Sequence, residues 1–146
     1  KNVSQTAVYG IASRGGFAKS EVVISDEEIE FPGVEEPDVV LALSKGALEK
    51  YYGRVTKDCY IIYDSSTIKG SFPGERIIGL PLSEKVRELN QEKGIKAYLN
   101  ILSLGALIGV TGLVKVESME KALRERFGKK AGPNIEAFKE GIKLAN

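Results

Sequence analysis

Apolar residues fall in short runs through the first half of the chain and in helical spacing through the second. Two runs, Val39-Val40-Leu41-Ala42-Leu43 and Cys59-Tyr60-Ile61-Ile62-Tyr63, are short and rich in β-formers, which predicts two buried strands. Between them Leu48, Tyr51 and Tyr52 stand at i, i+3 and i+4, one face of a helix. Ser44 suits its N-cap and Gly53 the left-handed position just past its end. Strand, crossover helix and strand together predict a parallel pair with a right-handed connection. Both strands are apolar on both faces, so helices are expected above and below the sheet. Open parallel sheets bind ligands beyond the carboxyl ends of their strands. Those ends are Ser44 and Asp64-Ser65-Ser66, which makes Ser44, Ser65 and Ser66 candidate site-lining residues.

Residues 3–9 and 19–25 read as two further strands, most simply an antiparallel hairpin. Their connection, 10–16, carries Gly10, Gly15 and Gly16 around Arg14. Glycines permit positive φ and close backbone approach to a ligand. They also serve in a plain turn with a solvated Arg14, and the local pattern leaves both readings open. The candidate binding residues here are Tyr9, Gly10, Ser13, Arg14, Gly15 and Gly16. The acidic, proline-bearing stretch 26–37 reads as a surface linker.

After the central unit, residues 68–76 contain the breakers Gly70, Pro73 and Gly74, and 77–80 form a short strand ending at Pro81. Leu82, Val86 and Leu89 mark an amphipathic helix stopping at Gly94. The stretch 97–114 is the most apolar in the chain. Its eighteen residues approach the length of about 20 that crosses a bilayer. Gly105, Gly109 and Gly112 favour instead a helix buried in the protein or at a subunit interface, with another backbone close to the Gly105–Gly109 face. Asn100 and Ser103 need partners in such a helix, either core hydrogen bonds or a ligand. Ser118 reads as the N-cap of a helix with Met119, Ala122, Leu123 and Phe127 on one face and Gly128 as its stop. Pro133 suits the first turn of a last helix striped by Ile135, Phe138, Ile142 and Ala145. The expected fold is α/β: three α/β/α layers, a mixed, mostly parallel sheet and an antiparallel hairpin.

The 146 residues suffice for one domain with a core, and the formal net charge of +1 argues against a nucleic-acid partner or a polybasic membrane patch. There is no histidine and one cysteine, Cys59, inside a predicted strand. This removes histidine-based nucleophilic catalysis and histidine-ligated metals, and one thiol cannot hold an iron–sulfur cluster, which takes about four ligands. None of these catalytic or metal sites is therefore expected, and no other catalytic or metal-ligating residue is assigned. Cysteine usage and the lack of a visible signal peptide point to the cytoplasm. The chain begins at Lys1 without a methionine and enters strand-like sequence at once, as a piece of a longer chain would.

The run Val8-Tyr9-Gly10-Ile11-Ala12-Ser13-Arg14-Gly15-Gly16, followed by a strand and Ile24-Ser25-Asp26-Glu27, resembles the gamma subunit of 2-oxoacid:ferredoxin oxidoreductases. Further matches are Glu36-Pro37-Asp38, Asn100 with Leu104-Gly105-Ala106, and Asn134 with Ala137-Phe138 and Gly141. The wording of the loop is most like the 2-oxoglutarate branch. The resemblance covers the whole chain and implies one gamma-type domain over residues 1–146. The family's usual opening, a strand, a Gly-x-Gly-Gly-Gln-Gly turn and a helix, is not in this sequence. That turn is the natural phosphate holder, and without it one edge or face of the sheet is expected to be uncovered. The resemblance further implies alpha, beta and, as a third candidate, delta partner subunits. These carry thiamine diphosphate and iron–sulfur clusters, act with coenzyme A and pass electrons to ferredoxin; this chain itself binds no cofactor. The alternative is a stand-alone small-molecule-binding or regulatory α/β domain using the same loop.

Overall fold

The computed structural model describes residues 1–10 and 16–146. Two compact units result, Lys1–Pro37 and Asp38–Asn146.

The first unit is a hairpin of β1 (Asn2–Tyr9) and β2 (Ala18–Ser25), paired antiparallel from Asn2↔Ser25 to Tyr9↔Ala18. The linker after β2 carries no regular element, in keeping with its prolines and charge. Its Val34 N–H donates to the Glu21 carboxylate at 3.2 Å.

The second unit is built on a parallel sheet of β3 (Val39–Ala42), β4 (Tyr60–Asp64) and β5 (Ile77–Leu80), in the order β3-β4-β5. The connection from β3 to β4 contains α1 (Lys45–Tyr51). Ser44 Oγ accepts the Ala47 N–H at 3.2 Å, and Gly53, at φ 73°, follows the C-cap Tyr52. The connection from β4 to β5 contains no helix, only turns and extended chain. Tyr63 and Tyr52 each meet Phe72 of that connection edge-on, with centroids 5.4 and 5.3 Å apart.

Alternation along the strands divides the core in two. Val40, Ala42 and Ile61 pack with Leu48 of α1, Ile68 and Cys59. Ile62 and Leu80 pack with α2 (Leu82–Glu92), α3 (Leu99–Thr111), α4 (Val116–Phe127) and α5 (Ala131–Ala145). Helices thus cover both faces of the parallel sheet, as its doubly apolar strands predict, and the antiparallel hairpin pairs in a sheet of its own.

The tightest packing is between α3 and α5. A Cβ on Gly105 would lie 2.0 Å from the Phe138 carbonyl oxygen, and one on Gly141 would lie 2.0 Å from that of Leu102. One on Gly109 would lie 3.1 Å from the Ile142 Cα. Each helix therefore presents glycine to the other's main chain, as the Gly105–Gly109 spacing suggests.

Three sequence expectations need correcting. The apolar stretch 97–114 contains a helix of only 13 residues. Its start is held back because the Asn90 side chain pairs with both backbone groups of Ala97, at 2.7 and 3.3 Å. Its end comes at Gly112, φ 61°. Among the described residues, no helix is long and apolar enough to cross a membrane. Ser118 is not an N-cap: α4 begins two residues earlier, after the cap Lys115, and Ser118 lies inside its first turn. Ala122 is exposed, so the buried side of α4 is made by Val116, Met119, Leu123 and Phe127.

Candidate functional site

At the carboxyl end of β4 the chain buries a carboxylate completely: Asp64 has 0% exposure. Its Oδ1 accepts the N–H groups of Ser66 at 3.1 Å and Ser83 at 3.3 Å. Its Oδ2 accepts the hydroxyls of Thr67 at 3.2 Å and of Ser83, the latter in a short contact. Burial pushes the Asp64 carboxyl up, but hydrogen bonds from the Ser83 and Ser66 side chains and backbones outweigh it and hold the group below its ordinary value.

The local reason is α2. Its N-cap position is Pro81, which has no side-chain hydrogen bond to give, and the first N–H groups of a helix need acceptors. Asp64 takes the N–H of Ser83 and Ser66 Oγ takes that of Glu84 at 3.1 Å. The strand end thus caps the helix across about twenty residues of sequence. A negative charge at a helix N-terminus is also favoured by the helix dipole.

Two of the candidate hydroxyls at this sheet end have structural employment, and the third residue, Ser65, is held through its main chain. Ser44 caps α1 and Ser66 caps α2. Ser65 donates its N–H to the Leu80 carbonyl at 2.9 Å and accepts from Lys69 Nζ at 3.0 Å. Sequence reasoning placed Asp64 at the strand end but gave it no role, and Ser83 none at all. The available signal was Pro81: a helix beginning behind a residue that cannot cap it needs an acceptor from elsewhere.

The other candidates stand apart from this cluster. Asn100 is exposed in the first turn of α3, where its Oδ1 accepts the Ile101 N–H at 2.9 Å, so its expected place in a buried interior is corrected. Ser103 is fully buried, and its hydroxyl has no hydrogen-bond partner among the described residues. At the hairpin tip Tyr9 is 80% exposed. The Gly10 N–H donates to the Phe17 carbonyl at 2.6 Å, and Gly16 is exposed. A Cβ on Gly10 would stand 3.0 Å from that same oxygen, so the loop base is a close backbone pairing. Ser13, Arg14 and Gly15 lie outside the described residues, as do Ile11 and Ala12.

Cys59 is buried. Burial first, and the Asp38 charge second, push its thiol up, away from the thiolate that metals and electrophiles require. Glu140 on α5 is tied to Lys143 at 2.6 Å, Lys85 at 3.4 Å and Lys93 at 4.0 Å. The Lys143 hydrogen bond leads in holding its carboxyl below the ordinary range. This network joins α5 to α2 and its C-terminal flank. Chemically, the end of β4 offers satisfied caps and the Glu140 network a strut; Asp64, enclosed and bonded through both oxygens, holds the sheet to α2.

Residues 1–144 match the family described as pyruvate ferredoxin/flavodoxin oxidoreductase. The chain belongs to that family. It is 36% identical over 145 residues to the 2-oxoglutarate synthase subunit KorC of Archaeoglobus fulgidus, covering 99% of this chain and 72% of that one. The gamma subunit of a keto/oxoacid ferredoxin oxidoreductase from Geobacter sulfurreducens superposes with a TM-score of 0.73 at 28% identity, over 98% of this chain and 79% of that one. A 2-oxoglutarate:ferredoxin oxidoreductase from Magnetococcus marinus, solved with 2-oxoglutarate, coenzyme A and succinyl-CoA bound, has a TM-score of 0.77 at 24% identity. It shares the fold, over 98% of this chain but only 25% of its own.

Proposed function

We propose that this chain is the gamma subunit of a 2-oxoacid:ferredoxin oxidoreductase whose substrate is 2-oxoglutarate. The 36% identity to a 2-oxoglutarate synthase subunit across 99% of the chain carries this reading. In it, residues 1–146 act as the gamma-type domain of a cytoplasmic complex with alpha and beta partners. The complex decarboxylates the 2-oxoacid on thiamine diphosphate, forms an acyl-coenzyme A and passes electrons through iron–sulfur clusters to ferredoxin. With no histidine and a single cysteine in its sequence, this chain leaves the clusters to its partners. At the end of β4, the Asp64 carboxylate and the Ser66 and Ser83 hydroxyls are engaged in hydrogen bonds that cap α2.

Within this reading the loop 10–16 contacts an anion through Arg14: a coenzyme A phosphate or an acidic side chain of a partner subunit, ranked ahead of the 2-oxoacid carboxylate. Guanidinium binds such groups through two parallel hydrogen bonds. Co-purification of the natural protein tests the assignment. Alpha and beta subunits and 2-oxoglutarate-dependent ferredoxin reduction are expected in the same complex; a chain that purifies alone is the stand-alone domain instead. In the reconstituted enzyme Arg14→Ala should weaken assembly or raise the KM for coenzyme A. Arg14→Lys should rescue it only in part, because lysine keeps the charge and loses the fork. Unchanged assembly and kinetics in Arg14→Ala would reduce the loop to a turn.

A further inference from the structure

Residues 26–37 carry six carboxylates and no cation. A stretch of like charges, here with Pro32 and Pro37, is expected to stay extended in water. Instead it belongs to the same compact unit as the hairpin, and Ile29, Gly33 and Val34 are half-buried. Lys1 pairs with Asp26 at 3.1 Å and the Asn2 side chain donates to the Glu27 carbonyl at 2.7 Å, which holds its first two residues. Further on, the Val34 N–H reaches Glu21. Three parts of the unit meet at that carboxylate. Glu21 stands opposite Thr6 in the strand register, and the Thr6 hydroxyl donates to Oε2 at 3.5 Å, the same oxygen that accepts Val34 at 3.2 Å. Oε1 takes Lys19 Nζ in a short contact. The lysine offsets a charge that would otherwise repel the linker's own carboxylates. Ser4, Thr6, Lys19 and Val23 are half-buried on the same face. Among the described residues, no apolar side chain of Lys1–Pro37 is buried. Closure of the linker therefore has no apolar core behind it, and a hydrogen bond to a charged acceptor is among the stronger polar contacts.

We infer that Glu21 is a latch that keeps residues 28–37 closed on the hairpin, and that its release frees this strap without opening the larger unit. Closed, the free chain ahead of β3 runs from Val34 to Asp38. Released, it starts at Glu27, which adds about 24 Å of extended chain to the tether between the two units. The inference draws on this chain's own contacts and stands apart from the proposed function.

The test uses the natural full-length protein in the form in which it purifies. Hydrogen exchange is followed at the Val34 amide, and cleavage at Glu30 and Glu35 by a glutamate-specific protease. Glu21→Ala should speed both by about tenfold or more, the size expected for losing a hydrogen bond to a charged acceptor. The amides of Leu102 and Phe138 in the larger unit should exchange as in the wild type. Glu21→Gln keeps an acceptor oxygen and should retain part of the Val34 protection. Unchanged Val34 exchange and cleavage in Glu21→Ala overturn the inference. So does a Glu21→Ala chain that fails to fold, or one whose Leu102 and Phe138 amides quicken along with Val34, because the strap would then belong to a single cooperative structure. Equal release in Glu21→Gln and Glu21→Ala overturns it too, since the bond to Val34 would not be what holds the strap.

Discussion

The two units of this chain solve the burial problem in opposite ways. In Asp38–Asn146, backbone meets backbone where α3 crosses α5, and two apolar clusters fill both sides of a three-stranded sheet. In Lys1–Pro37, β2 pairs Lys19 with Glu21, on which the linker docks through Val34, and the other face of the hairpin carries no charge. The first unit to be built from sequence alone would be the second one, because its partners are all within itself. The hairpin, among the described residues, buries none of its apolar side chains fully. Elements with the same local propensities can therefore differ in whether their packing is complete.

The sharpest way to break the contrast is at the helix crossing. Gly105→Leu should cost about 3 kcal/mol or more, the upper end for overpacking, because the obstacle is the Phe138 carbonyl rather than a movable side chain. Urea unfolding measures it; an unchanged midpoint would mean that the crossing opens freely. Next comes the strand-to-helix cap. Asp64→Ala removes a charged acceptor and orphans the Ser83 N–H, at a cost of about 2–3 kcal/mol. Its pH dependence has a definite sign. The folded state holds the Asp64 carboxyl below its ordinary value, so its contribution is fully present above the unfolded value of 3.8 and is lost as pH falls through the lower, folded value. Asp64→Asn should flatten that acid limb in unfolding curves taken between neutral pH and pH 2. The smallest effect is expected at Gly46 of α1, where an added Cβ meets nothing within 4 Å. Gly46→Ala should stabilise by about 0.4–1 kcal/mol, through the unfolded chain, and raise the thermal midpoint accordingly.

Legibility followed the range of the interactions. The β3–α1–β4 unit was readable almost to the residue because Ser44 and Gly53 act on their immediate neighbours. The role of Gly105 and Gly109 was readable because their spacing describes a face. The length of α3 was not, since its start is set by Asn90, seven residues upstream of Ala97. Ser118 misled because a capping residue type inside the first turn looks the same in sequence as one at the cap. Asp64 was hidden more deeply: its partner Ser83 becomes a neighbour, as Glu84 does of Ser66, only once β5 has paired with β4. At the loop the reading outran the structure, since Arg14 lies outside the described residues.

The reciprocal glycines of α3 and α5 carry one more consequence. Where side chains set the gap between two helices, repacking a core lets the axes drift apart or slide. Here main-chain atoms touch through Gly105 and Gly141, one from each helix, so the gap is a property of the polypeptide itself. Substitutions elsewhere in the cluster can loosen or tighten the filling without resetting that distance. The pair works as a fixed gauge, and drift at either position requires a matching change at the other. A double replacement should therefore show strong coupling, where two distant core sites would simply add.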